Sequence, residues 1–135
     1  MDDVILSKKE SLERCVRQVR IYRDLPGTQP LAVDFLRRDA ISMNLQRAAE
    51  LCLDMANHVV RRRKLGVPRD SREAFTLLET AAIIPSALAA KLRGMVGFRN
   101  ILVHDYQELS MEIFDTVVAN GLDDLLDFSA ILVRL

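Results

Sequence analysis

Apolar residues in this chain recur three and four positions apart almost throughout and never alternate with polar ones for long. That spacing predicts helices and no sheet. The first helix is expected from about Val4 to Leu25, with Ile5, Leu12, Val16, Val19 and Tyr22 on one side and charges between them; Pro26-Gly27 stops it. A loop through Pro30 leads to a second helix, expected from Asp34 or Asp39 to Leu65. Its stripe is Ile41, Leu45, Ala48, Ala49, Cys52, Met55, Ala56 and Val59, and Gly66 and Pro68 end it. Asp70, with Glu73 three residues on, is a capping-box pattern that opens a short third helix bearing Phe75, Leu77 and Leu78. A fourth helix is expected from near Pro85 to about His104. A fifth runs from Ser110 as N-cap toward Leu135. Gly121 weakens it by roughly 1 kcal/mol relative to Ala, and packing of Phe114, Val117, Val118, Leu122, Leu125 and Phe128 compensates. Short connections between long amphipathic helices make antiparallel neighbours. The expectation is therefore all-α: one domain over residues 1–135, an up-and-down bundle of about five helices, with any site in a groove between helices or between two copies.

Composition narrows what such a bundle can do. The chain has 135 residues, half of them apolar, enough to bury a core without disulfides or metals. Cys15 and Cys52 lie in helical stripes with no second cysteine nearby, so two buried free thiols are expected and no zinc site. No Asp, Glu and His cluster has metal-ligand spacing and no Gly-rich phosphate loop exists. Neither a metal, nor another cofactor, nor a nucleotide-binding regulator is indicated. The acidic start Met1-Asp2-Asp3 is unlike a signal peptide. The longest apolar stretch, Ala81 to Ala90, is far below the ~20 residues of a membrane span, which leaves the cytoplasm as the expected compartment. Nineteen basic and nineteen acidic residues cancel. A protein that coats long nucleic acid is usually more basic, but a local basic site remains compatible with this balance.

Polar chemistry concentrates in Arg99-Asn100-Ile101-Leu102-Val103-His104-Asp105-Tyr106. Asn100 and His104 are four apart and share a helix face. Arg99 and His104 are five apart, roughly 140° around the axis, an angle a long arginine can cover. Histidine is the side chain that gives and takes protons near neutral pH. Arginine presents a planar fork to phosphate oxygens, and asparagine can orient an imidazole or a phosphate. Together they suit metal-free RNA cleavage: the 2′-OH attacks its own phosphate, His104 moves protons and Arg99 steadies the charge. A capping cluster, with Arg99 paired to an acid and His104 and Asp105 finishing the helix, is the plainer alternative.

Arg99, four residues, His104, one residue, Tyr106 resembles the Arg-x4-6-His motif of HEPN ribonucleases in the form that carries a tyrosine two after the histidine. Further segments are similar to the HepT toxins of MntA–HepT toxin–antitoxin modules: Leu45-Gln46-Arg47-Ala48-Ala49-Glu50, Asp54-Met55-Ala56-Asn57-His58, Lys64-Leu65-Gly66-Val67-Pro68, Ser71 to Leu78 and Met95 to Leu109. The resemblance implies a HEPN-like bundle that forms a homodimer, in which two copies of the motif line one cleft as a composite ribonuclease site. It implies an RNA substrate, with tRNA as one candidate. It also implies an MNT-type nucleotidyltransferase antitoxin that neutralises the toxin by AMPylating the motif tyrosine. By that likeness Arg99 and His104 are catalytic, Tyr106 is the modified residue, and Asn100 and Asp105 are supporting. Tyr106 follows the helix end, where its hydroxyl is expected to reach solvent and the partner enzyme.

The rival reading is a non-catalytic helical module whose tyrosine segment only docks the nucleotidyltransferase. Catalysis needs Arg99 and His104, whereas docking needs mainly Tyr106 and its surroundings. Four more features have competing readings. Arg61-Arg62-Arg63-Lys64 is either an RNA contact or a solvated last turn favoured by the helix dipole. Asn57 and His58 suit a surface or packing role better than catalysis. Arg47 and Glu50 either pair with each other or reach the cleft. Gly94 and Gly97 thin one side of the fourth helix for a neighbouring helix or a second subunit.

Overall fold

The computed structural model describes residues 2–135. Helix α1 spans Asp3–Arg23, α2 Phe35–Arg62, α3 Ser71–Thr80 and α4 Ser86–His104. A 3₁₀ turn, Tyr106–Glu108, leads into a final rod made of α5 (Met111–Thr116), a π turn (Val117–Gly121) and α6 (Leu122–Val133). No strand occurs among the described residues. The expected all-α bundle is therefore the observed one, with boundaries within a few residues of those read from the sequence.

Short polar side chains set the helix starts by accepting from amides that the helix itself leaves unbonded. Asp2 accepts from Val4 and Ile5, Asp70 from Glu73, and Ser110 from Ile113. Of the two candidate starts for α2, Asp34 is the cap, accepting from the Arg37 amide, so Asp39 sits inside the first turns with its carboxylate uncommitted to capping. The α2 C-terminus turns through Lys64 at φ 55° and Gly66 at φ 135°. The left-handed conformation just past the cap satisfies the last carbonyls, and the Leu65 amide donates to the Val60 carbonyl at 3.0 Å. It is the φ of Gly66, rather than crowding, that favours glycine there: a Cβ would sit 3.4 Å from a Leu77 methyl, an ordinary contact.

The α1–α2 pair is the spine, and α6 packs against α1, α2 and α4 while α3 bridges α2 and α4. Leu12, Val19, Ile41, Met55, Leu92 and Leu122 are almost wholly excluded from solvent. Phe75 meets Phe128 edge to face at 5.5 Å between ring centres, and Phe98 tilts against Phe114 at 6.4 Å. Both cysteines are free and buried, and burial raises both thiols above the ordinary range. Arg37, unremarked in the sequence, is buried and clamps the α1–α2 loop: its guanidinium donates to Thr28 and to the Gln29, Tyr22 and Arg23 carbonyls, with Asp34 alongside.

The final rod departs from a regular helix at Val117–Gly121, where a π turn adds a residue to the helical period. Phe114 and Phe128 are both fully buried, one on each side of it. No helix among the described residues is long and apolar enough to cross a membrane.

Candidate active site at the end of α4

The last turns of α4 place Arg99 and Asn100 half-buried against α2. Arg99 Nη1 donates to Asn100 Oδ1 at 3.0 Å, and Nη2 approaches Glu50 Oε1 at 3.5 Å. Gln46 Nε2 donates to the same Glu50 oxygen at 3.2 Å. The guanidinium is thus fixed by a neighbouring amide and by a carboxylate that α2 shares with a glutamine. Its Nε is enclosed without a hydrogen-bond partner. Glu50 turns to Arg99 rather than to Arg47. Arg47 is exposed and lines a cleft of about 320 Å³ with Arg14, Asn44 and Glu50.

His104 ends α4 on the surface, and its imidazole makes no hydrogen bond to another described residue. Asp105 is exposed and closes the helix: its amide donates to the Ile101 carbonyl at 2.9 Å, and its own carbonyl accepts from Glu108 at 2.8 Å to open the 3₁₀ turn. An exposed imidazole can exchange protons with a water-borne substrate, and an anchored guanidinium fork can receive its phosphate; no contact joins Arg99 to His104 among the described residues.

The Tyr106 hydroxyl, expected to reach solvent, is already engaged by α2 there. The ring is half-buried against the core, and the hydroxyl donates to Asp39 Oδ1 at 2.6 Å with Ser42 Oγ at 3.1 Å. The cause is the 3₁₀ turn, which carries the side chain back over α2 instead of outward. Arg38 closes the arrangement, its guanidinium carbon lying 5.8 Å from the Tyr106 ring centre and 4.6 Å over Phe35. Asp39, Ser42 and Arg38 were missed in the sequence because they lie more than sixty residues from Tyr106. Their one legible sign was that Asp39 is redundant as a cap once Asp34 serves.

The structure thus gathers Arg99 and Asn100 with Glu50 and Gln46, gathers Tyr106 with Asp39 and Ser42, and leaves His104 and Asp105 facing solvent. His58 lies elsewhere: its Nε2 meets Asp2 Oδ2 at 2.7 Å, and this bond holds the Asp2 carboxyl below its ordinary range. Arg61 to Lys64 are exposed at the opposite end of α2 from Asp39, about 35 Å along the axis at 1.5 Å per residue. No group of three His, Cys, Asp or Glu among the described residues is placed to hold a metal.

These features define a helical bundle with a motif at the end of one helix, and comparison with known proteins gives the class. The fold matches a chain of a toxin–antitoxin crystal structure with AMP-PNP, with TM-score 0.91, 38% identity, and coverage of 98% of this chain and 99% of that one. It also matches the tri-AMPylated Shewanella oneidensis HEPN toxin in complex with MNT antitoxin, with TM-score 0.92, 40% identity and full coverage of both chains. The model of the family described as HepT-like, ribonuclease HepT-like, matches residues 12–132. This chain belongs to the HepT-like ribonuclease family. Among curated relatives it is 43% identical over 129 residues, 95% of each chain, to the mRNA nuclease HepT of Shewanella oneidensis.

Proposed function

We propose that this chain is a metal-independent endoribonuclease toxin, active as a homodimer in the cytoplasm, with residues 1–135 working as one domain. A nucleotidyltransferase antitoxin neutralises it by AMPylating Tyr106. The observation that carries the proposal is an anchored, half-buried Arg99 and a solvent-facing His104 on the last turns of α4, in a chain of this family.

In this mechanism the RNA 2′-OH loses a proton to an imidazole, its oxygen attacks the adjacent phosphorus, and the 5′-oxygen leaves with a proton. A 2′,3′-cyclic phosphate remains. Arg99 holds the non-bridging oxygens as charge builds on them, with Asn100 fixing its orientation and Asp105 ending the helix beside His104. Two proton-transfer groups are needed. The chain has only His58 and His104, and His58 is tied to Asp2. A second copy supplies the second imidazole, which is why the site is read as composite. The relative named above is an mRNA nuclease, so messenger RNA precedes tRNA as the substrate to test.

The test is cleavage of labelled RNA in excess EDTA by wild type and His104→Ala, with product ends analysed and with growth followed on expression. Wild type should leave cyclic phosphate and arrest growth, and His104→Ala should do neither. Activity that vanishes on chelation and returns with magnesium overturns the chemistry. Wild-type protein that leaves RNA intact, while still binding the transferase, establishes the docking module instead.

A further inference from the structure

The Tyr106 hydroxyl is doubly engaged by α2, and that bears on how it can be modified. Asp39 Oδ1 at 2.6 Å accepts its proton, and Ser42 Oγ lies 3.1 Å away on the next turn. Ser42 is buried and Asp39 exposed, so two α2 side chains hold the hydroxyl oxygen at the edge of solvent. Arg38 lies against the ring, itself stacked on Phe35. Neither Asp39 nor Arg38 forms an ion pair with another described residue; Arg38 also donates to the Ala32 carbonyl at 3.2 Å, while Asp39 is engaged by the tyrosine.

We propose that Asp39 and Ser42 form a seat that gates the modification of Tyr106, and that a nucleotide-bearing Tyr106 cannot return to it. The inference rests on the reading of Tyr106 as the AMP acceptor. AMP transfer forms a bond between the phenolic oxygen and the α-phosphorus of ATP. It breaks the α–β anhydride bond and releases pyrophosphate and the phenolic proton. While seated, that oxygen has its proton held by Asp39 and Ser42 at its other side, so the side chain leaves these partners for transfer. Afterwards the oxygen has no proton to donate. The 2.6 Å contact becomes one between two acceptors, and the phosphodiester adds a negative charge beside the Asp39 carboxylate. The modified side chain therefore stays out, and the 3₁₀ turn that follows His104 loses its tie to α2. AMP attachment in this view displaces the turn beside the catalytic histidine as well as filling the groove. Asp39 and Ser42 are positioning residues, with no contact to RNA implied.

The seat and the gate are measured separately. N-acetylimidazole acetylates phenolic oxygens without any enzyme, and Tyr22, the other tyrosine, is an internal reference. Asp39→Ala should raise the acetylation rate of Tyr106 at least threefold relative to Tyr22. Asp39→Asn, which keeps an acceptor, should fall between it and wild type, and Ser42→Ala should show a smaller rise. With transferase below saturation and ATP present, kcat/KM for AMP addition, read by mass, should rise in the same order. Asp39 is exposed and caps nothing, and Ser42→Ala is nearly isosteric, so both variants should keep the wild-type circular dichroism. Unchanged acetylation overturns the seat. Faster acetylation with slower AMP addition overturns the gate and makes Asp39 a proton acceptor for the transfer. Faster acetylation with AMP reaching no variant, wild type included, overturns Tyr106 as AMP acceptor and leaves the seat established.

Discussion

Replacing Glu50 by glutamine tests whether the guanidinium of Arg99 is held in reserve or held for work. Glu50 Oε1 lies 3.5 Å from Arg99 Nη2, and the two side chains are 41% and 26% exposed. Unit charges at that distance attract by about 1 kcal/mol in water and several times more at a protein-surface dielectric. Exposure on both sides screens the pair to no more than about 1 kcal/mol. An incoming RNA phosphate competes with this carboxylate for the same fork, so removing the charge returns that energy to substrate binding. A gain of 0.65–1 kcal/mol corresponds to about a three- to fivefold lower KM. Glutamine retains an oxygen for Gln46 and Arg99, so kcat should stay within about twofold. Initial rates on a fluorophore–quencher RNA over a range of concentrations measure both constants. Repeating them at high salt should shrink the KM difference, because screening weakens the pair being removed. A raised KM, or an unchanged KM with kcat down tenfold, would show that Glu50 orients Arg99 for the transition state and competes with nothing.

Three further outcomes are expected. Tyr106→Phe loses the bonds to Asp39 and Ser42 and about 1–3 kcal/mol of unfolding free energy in urea titration, yet should still cleave RNA in the presence of transferase and ATP; silencing equal to wild type would mean inhibition by binding alone. The Glu79 carboxyl is held below its ordinary 4.5 chiefly by the hydrogen bond from Arg93 and then that from Ser86. Its stabilising effect is therefore complete above pH 4.5 and lost as pH falls through the depressed value, and melting temperature should decline less steeply below pH 4.5 in Glu79→Gln. A Cβ on Gly94 meets nothing within 4 Å, so Gly94→Ala should stabilise α4 by about 0.5–1 kcal/mol in chemical denaturation; destabilisation would show that a second copy covers that face.

Where local rules govern, the sequence was readable residue by residue. Asp70 and Ser110 cap the helices they were expected to cap, and the stripe from Ile41 to Val59 is the buried face of α2. The choice between Asp34 and Asp39 stayed open because both are good caps, and the Arg37 clamp on the intervening loop accompanies the start at Asp34. In the site, the segment from Arg99 to Tyr106 stood out through residue types whose chemistries fit one reaction. Its partners are less legible: Glu50 stands between a pair with Arg47 and the cleft, and Asp39 is only a candidate cap, because both reach the segment through the packing of α2 against α4 and the turn after it. The engagement of Tyr106 is not legible for the same reason: a helix end suggests exposure, which the Tyr106–Asp39 bond keeps, but the 3₁₀ turn that follows brings the hydroxyl against α2.

The π turn at Val117–Gly121 marks the place where the final rod absorbs a change of length. One residue advances a regular helix by 100°, so an extra residue in an α segment would turn α6 against α5, whereas the wider π turn takes up its extra residue and keeps that phase. Phe114 on one side and Phe128 on the other are both fully buried. Deleting one residue within the π turn should therefore restore a regular helix with both rings still inward, while deleting one from α5 or α6 should swing a ring toward solvent. In this rod the position of a gap, more than the identity of a residue, is what the fold constrains.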